Sequence, residues 1–307
     1  MSQGHWETLS REEAQFYLAL GDNVYADKRI VADELVRFES SLAQLEEAYA
    51  IQAQHPEFQD FLKGLQVIPT WDDHDYGLND AGQELPFAKG AQRAFLEFWK
   101  IPEADPRWKR DGVYASQLLR LESYTLQIIT LDTRFFRSAL LALEVPESAP
   151  YGRDDSAEKS ILGDEQWAWL EAELSQPADL RVVLSSVQLL SDSHGYERWG
   201  TFPHERERLM GMLQAAGSSL VVSGDRHLGA IYHDPSHPQL WELTTSSLNT
   251  PFGGAKEEDP LRVGDFTSAA NFGRIELAQN QLRFELVAMS GDVIASQQMT
   301  LPRASNP

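Results

Sequence analysis

Two rhythms of apolar and polar residues run along this chain. Short apolar runs end abruptly in small or charged residues at FYLALGDNVYAD (16–27), VIPTWDDHDYGLND (67–80), IITLDTR (128–134), VVLSSVQ (182–188) and VVSGDRH (221–227). Each predicts a buried strand that delivers a polar loop. Between them lie helical rhythms. Leu35, Phe38, Leu42, Leu45 and Tyr49 recur at spacings of 3 and 4, which predicts an amphipathic helix over residues 30–50. Phe87, Ala91, Phe95 and Phe98 predict a second, stopped at Ile101-Pro102 because proline has no amide hydrogen to donate. A third is predicted in LGDEQWAWLEAEL, with Asp164 as its N-cap. VYASQLLRL and YTLQIITL, separated by Glu122-Ser123, predict a hairpin over residues 113–131. LWELTTSS (240–247), GRIELA (273–278) and LRFELVAM (282–289) make the last third strand-rich and are expected to close the sheet. Residues 138–160, with Pro146, Pro150 and Gly152, and residues 249–266, with Pro251, Gly253 and Gly254, read as irregular loops, either substrate lids or surface excursions.

Helices alternating with strands predict an α/β fold, in which loops at the strand ends converge on one rim and ligands bind there. Composition adds boundaries. The 307 residues, 42% hydrophobic and 10% aromatic, suffice for a large core. No run of 18 apolar residues occurs, so no membrane span is expected. The start, MSQGHWETLSREEAQFY, lacks the basic and apolar regions of a secretory signal. Cysteine is absent, which excludes disulfides and thiolate ligands. A formal net charge of −21 argues against a stable nucleic-acid complex, through long-range repulsion of the phosphate backbone.

The polar loops carry the candidate chemistry. WDDHD places Asp72, Asp73, His74 and Asp75 directly after a strand, between Trp71 and Tyr76. An exposed acidic turn is one reading. The other is a partly enclosed cluster whose negative charge needs a cation. GDRH offers Asp225 and His227 on one side of an extended segment. A carboxylate with a neutral imidazole suits a transition metal, and carboxylates alone suit calcium or magnesium. GDNVY offers Asp22 and, three residues on, Tyr25. Tyr25 reads either as a core aromatic or as a phenolate ligand that favours ferric iron.

GDNVYAD, WDDHDYGLNDAG, LDTRFFR, LGDEQWAWL, SSVQLL, RWGTFPHERERL, SGDRH and ELTTSSLN, in this order, resemble the motif series of the PhoD-like alkaline phosphatases, a branch of the metallophosphoesterases. The resemblance covers nearly the whole chain from about residue 16. It implies one domain folded as a four-layer α/β/β/α sandwich, with a metal cluster between loops at one rim that hydrolyses phosphate esters. By the same resemblance Asp22 is similar to the carboxylate that bridges two metals, and Tyr25 to the tyrosine that holds ferric iron alongside calcium. Asp73 and His74 resemble a ligand and a phosphate-contacting group, Asp225 and His227 two further ligands. Gln188 stands where the superfamily commonly has another metal-binding histidine. One motif is missing. The family opens with a strand ending in Gly-Ser-Cys, whose cysteine, or an equivalent aspartate, ligates the first metal. Here only 20 residues precede Gly21. QGHW is expected to be the remnant of the helix after that strand, so the chain is either truncated or lives without a first core strand and a ligand. Localisation is cytoplasmic as written and exported if the start is truncated.

The leading expectation is a metal-dependent phosphomonoesterase or phosphodiesterase acting on a small phosphate ester. Cations acidify a bound water for in-line attack, His74 contacts the phosphate or protonates the leaving alkoxide, and Arg134 neutralises developing charge or pairs structurally with Asp132. The rival is a catalytically impaired or scaffold protein of the same fold, motivated by the missing motif; if instead the chain as given is fully active, another residue, with Gln188 and His194 the first candidates, must fill the gap. A carboxylic-ester hydrolase is disfavoured, because no Gly-x-Ser-x-Gly elbow occurs.

Overall fold

The structure, a computed structural model, describes residues 3–301 except 32–33, 38–39, 122, 145–148 and 253–257, and of residues 28–31 and 34–37 the backbone alone. Its centre is a sheet of six strands: β5 (Ala115–Arg120), β6 (Thr125–Thr130), β7 (Leu180–Ser185), β8 (Ser219–Ser223), β10 (Leu240–Thr245) and β9 (Gly229–His233), hydrogen-bonded in that spatial order. β6, β7, β8 and β10 run parallel, and β5 and β9 are antiparallel edges. Period-two alternation assigns each strand's residues to opposite faces. Ile129, Val183 and Val221 pack against α6 (Gly163–Leu174) and α7 (Pro203–Ala216), through Trp167, Leu170, Leu209 and Leu213. Ile128, Val182 and Val222 point the other way, into a second core.

That second core is closed by two smaller sheets. One is the parallel pair β1 (Phe16–Leu20) and β4 (Gln66–Thr70), which contributes Leu18, Leu20 and Ile68. The other is the antiparallel β11 (Asn271–Ala278), β12 (Gln281–Ala288) and β13 (Val293–Thr300), which contributes Leu282, Phe284 and Leu286. Outer helices cover them: α1 (His5–Ser10) and α3 (Pro56–Phe61) through Trp6, Phe58 and Phe61, and α2 (Leu42–Ala53) and α5 (Ala88–Phe98) through Leu45, Tyr49 and Phe95, while the single turn α4 (Asp73–Tyr76) follows β4. The result is the four-layer α/β/β/α sandwich that the resemblance implies. Of the three strands expected to close the sheet, LWELTTSS does join it as β10, whereas GRIELA and LRFELVAM, as β11 and β12, form a separate sheet with β13 that faces the large one.

Two local expectations are also corrected. In the segment expected to open a helix at residue 30, residues 28–31 and 34–37 instead pair as the antiparallel strands β2 (Lys28–Val31) and β3 (Glu34–Arg37). Ile30, Val31 and Val36 are β-branched and favour strand, and the 3-and-4 spacing becomes helical only after Ser41, whose Oγ accepts from Gln44 N. Phe38 lies outside the described residues. Asp164 is not the N-cap of α6 but sits in its first turn, where a carboxylate still favours the helix dipole. Leu162 is the cap, and Ser160 Oγ accepts from Gly163 N at 2.8 Å. The 113–131 hairpin forms as β5 and β6, with Glu122 outside the described residues. In the irregular 138–160 segment, Ala142 and Tyr151 form an antiparallel bridge. Pro146, Gly253 and Gly254 lie outside the described residues.

The ends of β1 and β4 approach closely. Gly21 has φ +111, and a Cβ there would lie 2.4 Å from Asp72 Cβ. Gly21→Ala is therefore expected to destabilise the protein by about 2–3 kcal/mol, from left-handed backbone strain plus a backbone clash, measured by chemical denaturation.

Candidate metal centre

Strand ends from both inner sheets meet at one rim. β1 delivers Gly21-Asp22, β4 delivers Thr70 to Asp73, β6 delivers Asp132 to Arg134, and β8 delivers Gly224 to His227. The cluster is dense. One carboxylate oxygen each from Asp22 and Asp73 and one nitrogen of His74 lie within 4.8 Å of one another, as do oxygens of Asp72, Asp73 and Asp225. Asp73 belongs to both groups. His227 Nε2 stands 3.9 Å from Asp22 Oδ2, and Tyr25 OH donates to the same oxygen at 2.8 Å. The structure thus brings Asp22, Tyr25, Asp73, His74, Asp225 and His227 together.

The backbone at this rim is unusual. Asp22, Asp225 and His227 all adopt positive φ, at 51, 63 and 52. Left-handed backbone is uncommon outside glycine, although Asp and His tolerate it better than most residues. Three such residues at one rim place strain where the chemistry is.

Neighbouring groups fix the imidazoles. His227 Nδ1 donates to the Thr250 carbonyl oxygen, which can only accept, so the lone pair of a neutral ring lies on Nε2, on the side of Asp22. His74 Nδ1 bonds Asp27 Oδ1 at 2.6 Å, and its Nε2 lies 4.0 Å from Asp73 Oδ1. The Tyr25 ring packs on His74 at 4.4 Å between centroids. Burial disfavours the charged imidazolium of His74, but the carboxylates of Asp73, Asp22 and Asp27 outweigh it and raise its pKa to about 9.

The carboxylates are held where negative charge is costly. Burial raises the pKa of Asp22, and raises those of Asp72 and Asp225 well above the usual range, with mutual repulsion adding to it. Burial, then the Asp22 carboxylate, pushes the Tyr25 phenol well above its ordinary value. Asp22 Oδ1 and Asp72 Oδ2 are buried without a hydrogen-bond partner among the described residues. Acceptors orphaned in this way, in a cluster rich in carboxylates, fit a cation bound by oxygen and imidazole ligands.

Several other groups of the cluster hold the framework. Asp75 accepts from Asp22 N at 3.1 Å and Asp72 N at 2.6 Å, tying the two strand ends together. Asp132 accepts from Trp71 Nε1 and from the backbone of Val113 and Arg134. The Arg134 guanidinium does not pair with Asp132. It is fully buried and ion-paired with Asp72 and Glu197. Gln188 is enclosed, donating to Thr244 Oγ1 at 2.9 Å and bonded through Oε1 to His194 Nε2 at 2.9 Å. Asp72 and Asp27 are the residues that sequence reasoning left without a role. Asp72 stands inside the WDDHD cluster, and Asp27 closes the GDNVYAD run two residues after Tyr25.

The profile of the PhoD-like phosphatase family matches residues 3–298. Among curated proteins, none matches the chain. A solved structure of PhoD superposes with a TM-score of 0.76 at 16% identity, covering 100% of this chain and 69% of that one. GAP50, the anchor in the inner membrane complex of Plasmodium, superposes with a TM-score of 0.60 at 14% identity, covering 99% and 84%. At such identities the superpositions speak for the fold alone, and the sequence profile carries the kinship. With the match running through nearly every element described above, the chain belongs to the PhoD-like phosphatase family.

Proposed function

We propose that this protein is a metal-dependent phosphoesterase that hydrolyses small phosphate esters at the Asp22–Asp73–Asp225 rim. The observation that carries the reading is the pair of overlapping clusters of possible ligand atoms, Asp22–Asp73–His74 and Asp72–Asp73–Asp225, joined at Asp73 and set among orphaned buried oxygens. Two cations fit this arrangement. Asp73, common to both groups, would be shared, Asp22, Asp225 and His227 would complete the set, and Tyr25 would add a phenolate. Cations bound there supply charge to neutralise phosphate oxygens and acidify a water to near neutrality.

The chain's own groups supply the rest. Asp27 holds His74 through Nδ1, so that a proton on Nε2 faces the rim and can pass to the departing alkoxide. Bound cations would offset the carboxylate field that raises His74, bringing its pKa down toward the range useful to an acid. Arg134, spent on Asp72 and Glu197, holds Asp72 in place instead of meeting the substrate. Of the metals, ferric iron suits the phenol of Tyr25 and calcium suits the carboxylates. A scaffold reading draws on the same fold serving as an anchor in Plasmodium. Cation content separates the two.

Removing metal with a chelator and adding it back should raise stability by about 2.7 kcal/mol at roughly 100 Kd of cation, seen as a higher Tm. Asp225→Asn should lose most of that gain, and a protein whose Tm ignores every cation tried is a scaffold. His74→Gln should lower turnover of an aryl phosphate by about two to four orders of magnitude while elemental analysis finds the metal retained. Loss of metal in that variant makes His74 a ligand. Iron loading should produce a visible phenolate-to-iron absorption that Tyr25→Phe abolishes, and persistence of the band removes Tyr25 from the ligand set.

A further inference from the structure

Cations are scarce in this chain, 26 Lys and Arg against 47 Asp and Glu, yet six of the 26 line one surface pocket. Lys89, Arg93, Lys100, Arg107, Lys109 and Arg110 surround a volume of about 850 Å³, and Glu97 and Glu103 are the acids among its lining residues. The pocket lies between the end of α5 and the short helical turn Pro106–Trp108, and it shares no residue with the metal rim. In a chain of net charge −21, this patch is opposite in sign to the molecule around it. It marks where an anion can settle on a protein that elsewhere repels it.

Three of the six are already answered by carboxylates. Lys89 pairs with Asp111, Arg93 with Glu97 at 2.8 Å and Arg107 with Asp105 at 2.9 Å. The other three are not. Lys100 and Lys109 are exposed and have no carboxylate partner among the described residues. The Arg110 guanidinium stacks 3.7 Å from the centre of the Tyr114 ring and donates to the Tyr114 carbonyl oxygen, while its Nε is buried without a hydrogen-bond partner among the described residues. Burial lowers the pKa of Arg110, so its charged form is one that a bound anion would favour.

The frame that carries these groups is fixed. Buried Gln92 of α5 donates from Nε2 to the carbonyl oxygens of Arg107, Arg110 and Gly112, at 2.7, 2.8 and 3.2 Å, and so draws the turn onto the helix. Trp108 Nε1 donates to the Ile101 carbonyl at 3.1 Å. Lys100 ends α5 with φ 52, the left-handed position that glycine ordinarily fills after a helix, closed by Ile101 N donating to Leu96 O at 2.9 Å. A cation there also answers the helix dipole, but that reason covers Lys100 alone, since Lys109 and Arg110 follow a separate turn. Groups held in this way lose little freedom when an anion binds. We infer that the pocket binds a small phosphorylated molecule carrying at least two phosphate groups, held by Lys100, Lys109 and Arg110. Ammonium groups act as point charges that suit phosphate, and a concave site suits a small molecule. The inference does not rest on the phosphoesterase reading.

Titration calorimetry with tripolyphosphate tests it, on the 307-residue chain and on the double variant Lys100→Gln, Lys109→Gln. The chain should show one site, weakened about tenfold in the variant and weakened in both by added salt. A second measurement needs no variant. Tripolyphosphate should shield Lys100 and Lys109 from an amine-acetylating reagent, read by peptide mass spectrometry, and should leave Lys63 unshielded. Lys63 is exposed, paired with Asp60, and no part of this pocket's lining. The proposal is overturned if tripolyphosphate fails to saturate the chain below about 1 mM. It is equally overturned if the double variant binds as tightly as the chain, which puts the anion at the metal rim. Citrate or polyglutamate shielding the two lysines at a lower concentration than tripolyphosphate also overturns it, and assigns the pocket to carboxylates or to an acidic protein.

Discussion

Uncompensated negative charge at one rim is the condition to which the rest of this molecule is fitted. Asp73 lies within 4.8 Å of Asp22 in one group and of Asp72 and Asp225 in the other, with Arg134 ion-paired to Asp72 and the imidazoles of His74 and His227 about 4 Å from Asp73 and Asp22. In a low-dielectric interior, an unpaired carboxylate neutralises itself or finds a counter-charge. The raised pKa values of Asp22, Asp72 and Asp225 are the first response, and an external cation would be the second. Every strand that ends at the rim contributes either a charge or a group that restrains one. Asp75 restrains two of these strand ends at once, through the backbone amides of Asp22 and Asp72.

Strand ends explain why so much of the site is legible from sequence. A buried strand reads as an apolar run, and the first polar residue after it is where the rim must lie. That rule leads to the GDN, WDDHD and GDRH loops, and so to Asp22, Asp225 and His227 and to the WDDHD cluster as a whole. The rule says nothing of which carboxylate in WDDHD turns inward. Asp72, Asp73 and Asp75 have the same chemistry, and only a turn geometry with reciprocal hydrogen bonds between Asp72 and Asp75 separates a clamp from a ligand. Arg134 shows the limit more sharply. Its nearness to Asp132 in sequence suggests a pair, yet its partners are 62 and 63 residues away. Spacing along the chain carries no information on contacts of that range.

The fold is legible to a similar depth. The alternation in IITL, VVLS and VVS fixes which residues face α6 and α7 and which face the inner layer. What periodicity leaves open is partnership. GRIELA and LRFELVAM read as strands, but nothing in an alternating pattern says whether they extend an existing sheet or form another. The 28–37 segment fails for a different reason. Its apolar residues fit a helical spacing when joined to those after Ser41, and the helix start signal at Ser41 is what breaks the two apart.

The ion pairs around Arg134 make a closed circuit. Asp72 holds Arg134, Arg134 holds Glu197, and Glu197 holds Arg137. Arg137 donates to the Asp80 carbonyl, and Asp80 N returns to Asp73 Oδ2 at 2.7 Å. Tyr151, from the irregular 138–160 segment, leans on the same Asp80 through its hydroxyl at 2.8 Å. Charge arriving at Asp72 or Asp73 therefore redistributes around a ring that ends on an exposed excursion of the chain. The rate at which a protease nicks that excursion would then serve as a gauge of what occupies a centre it never touches.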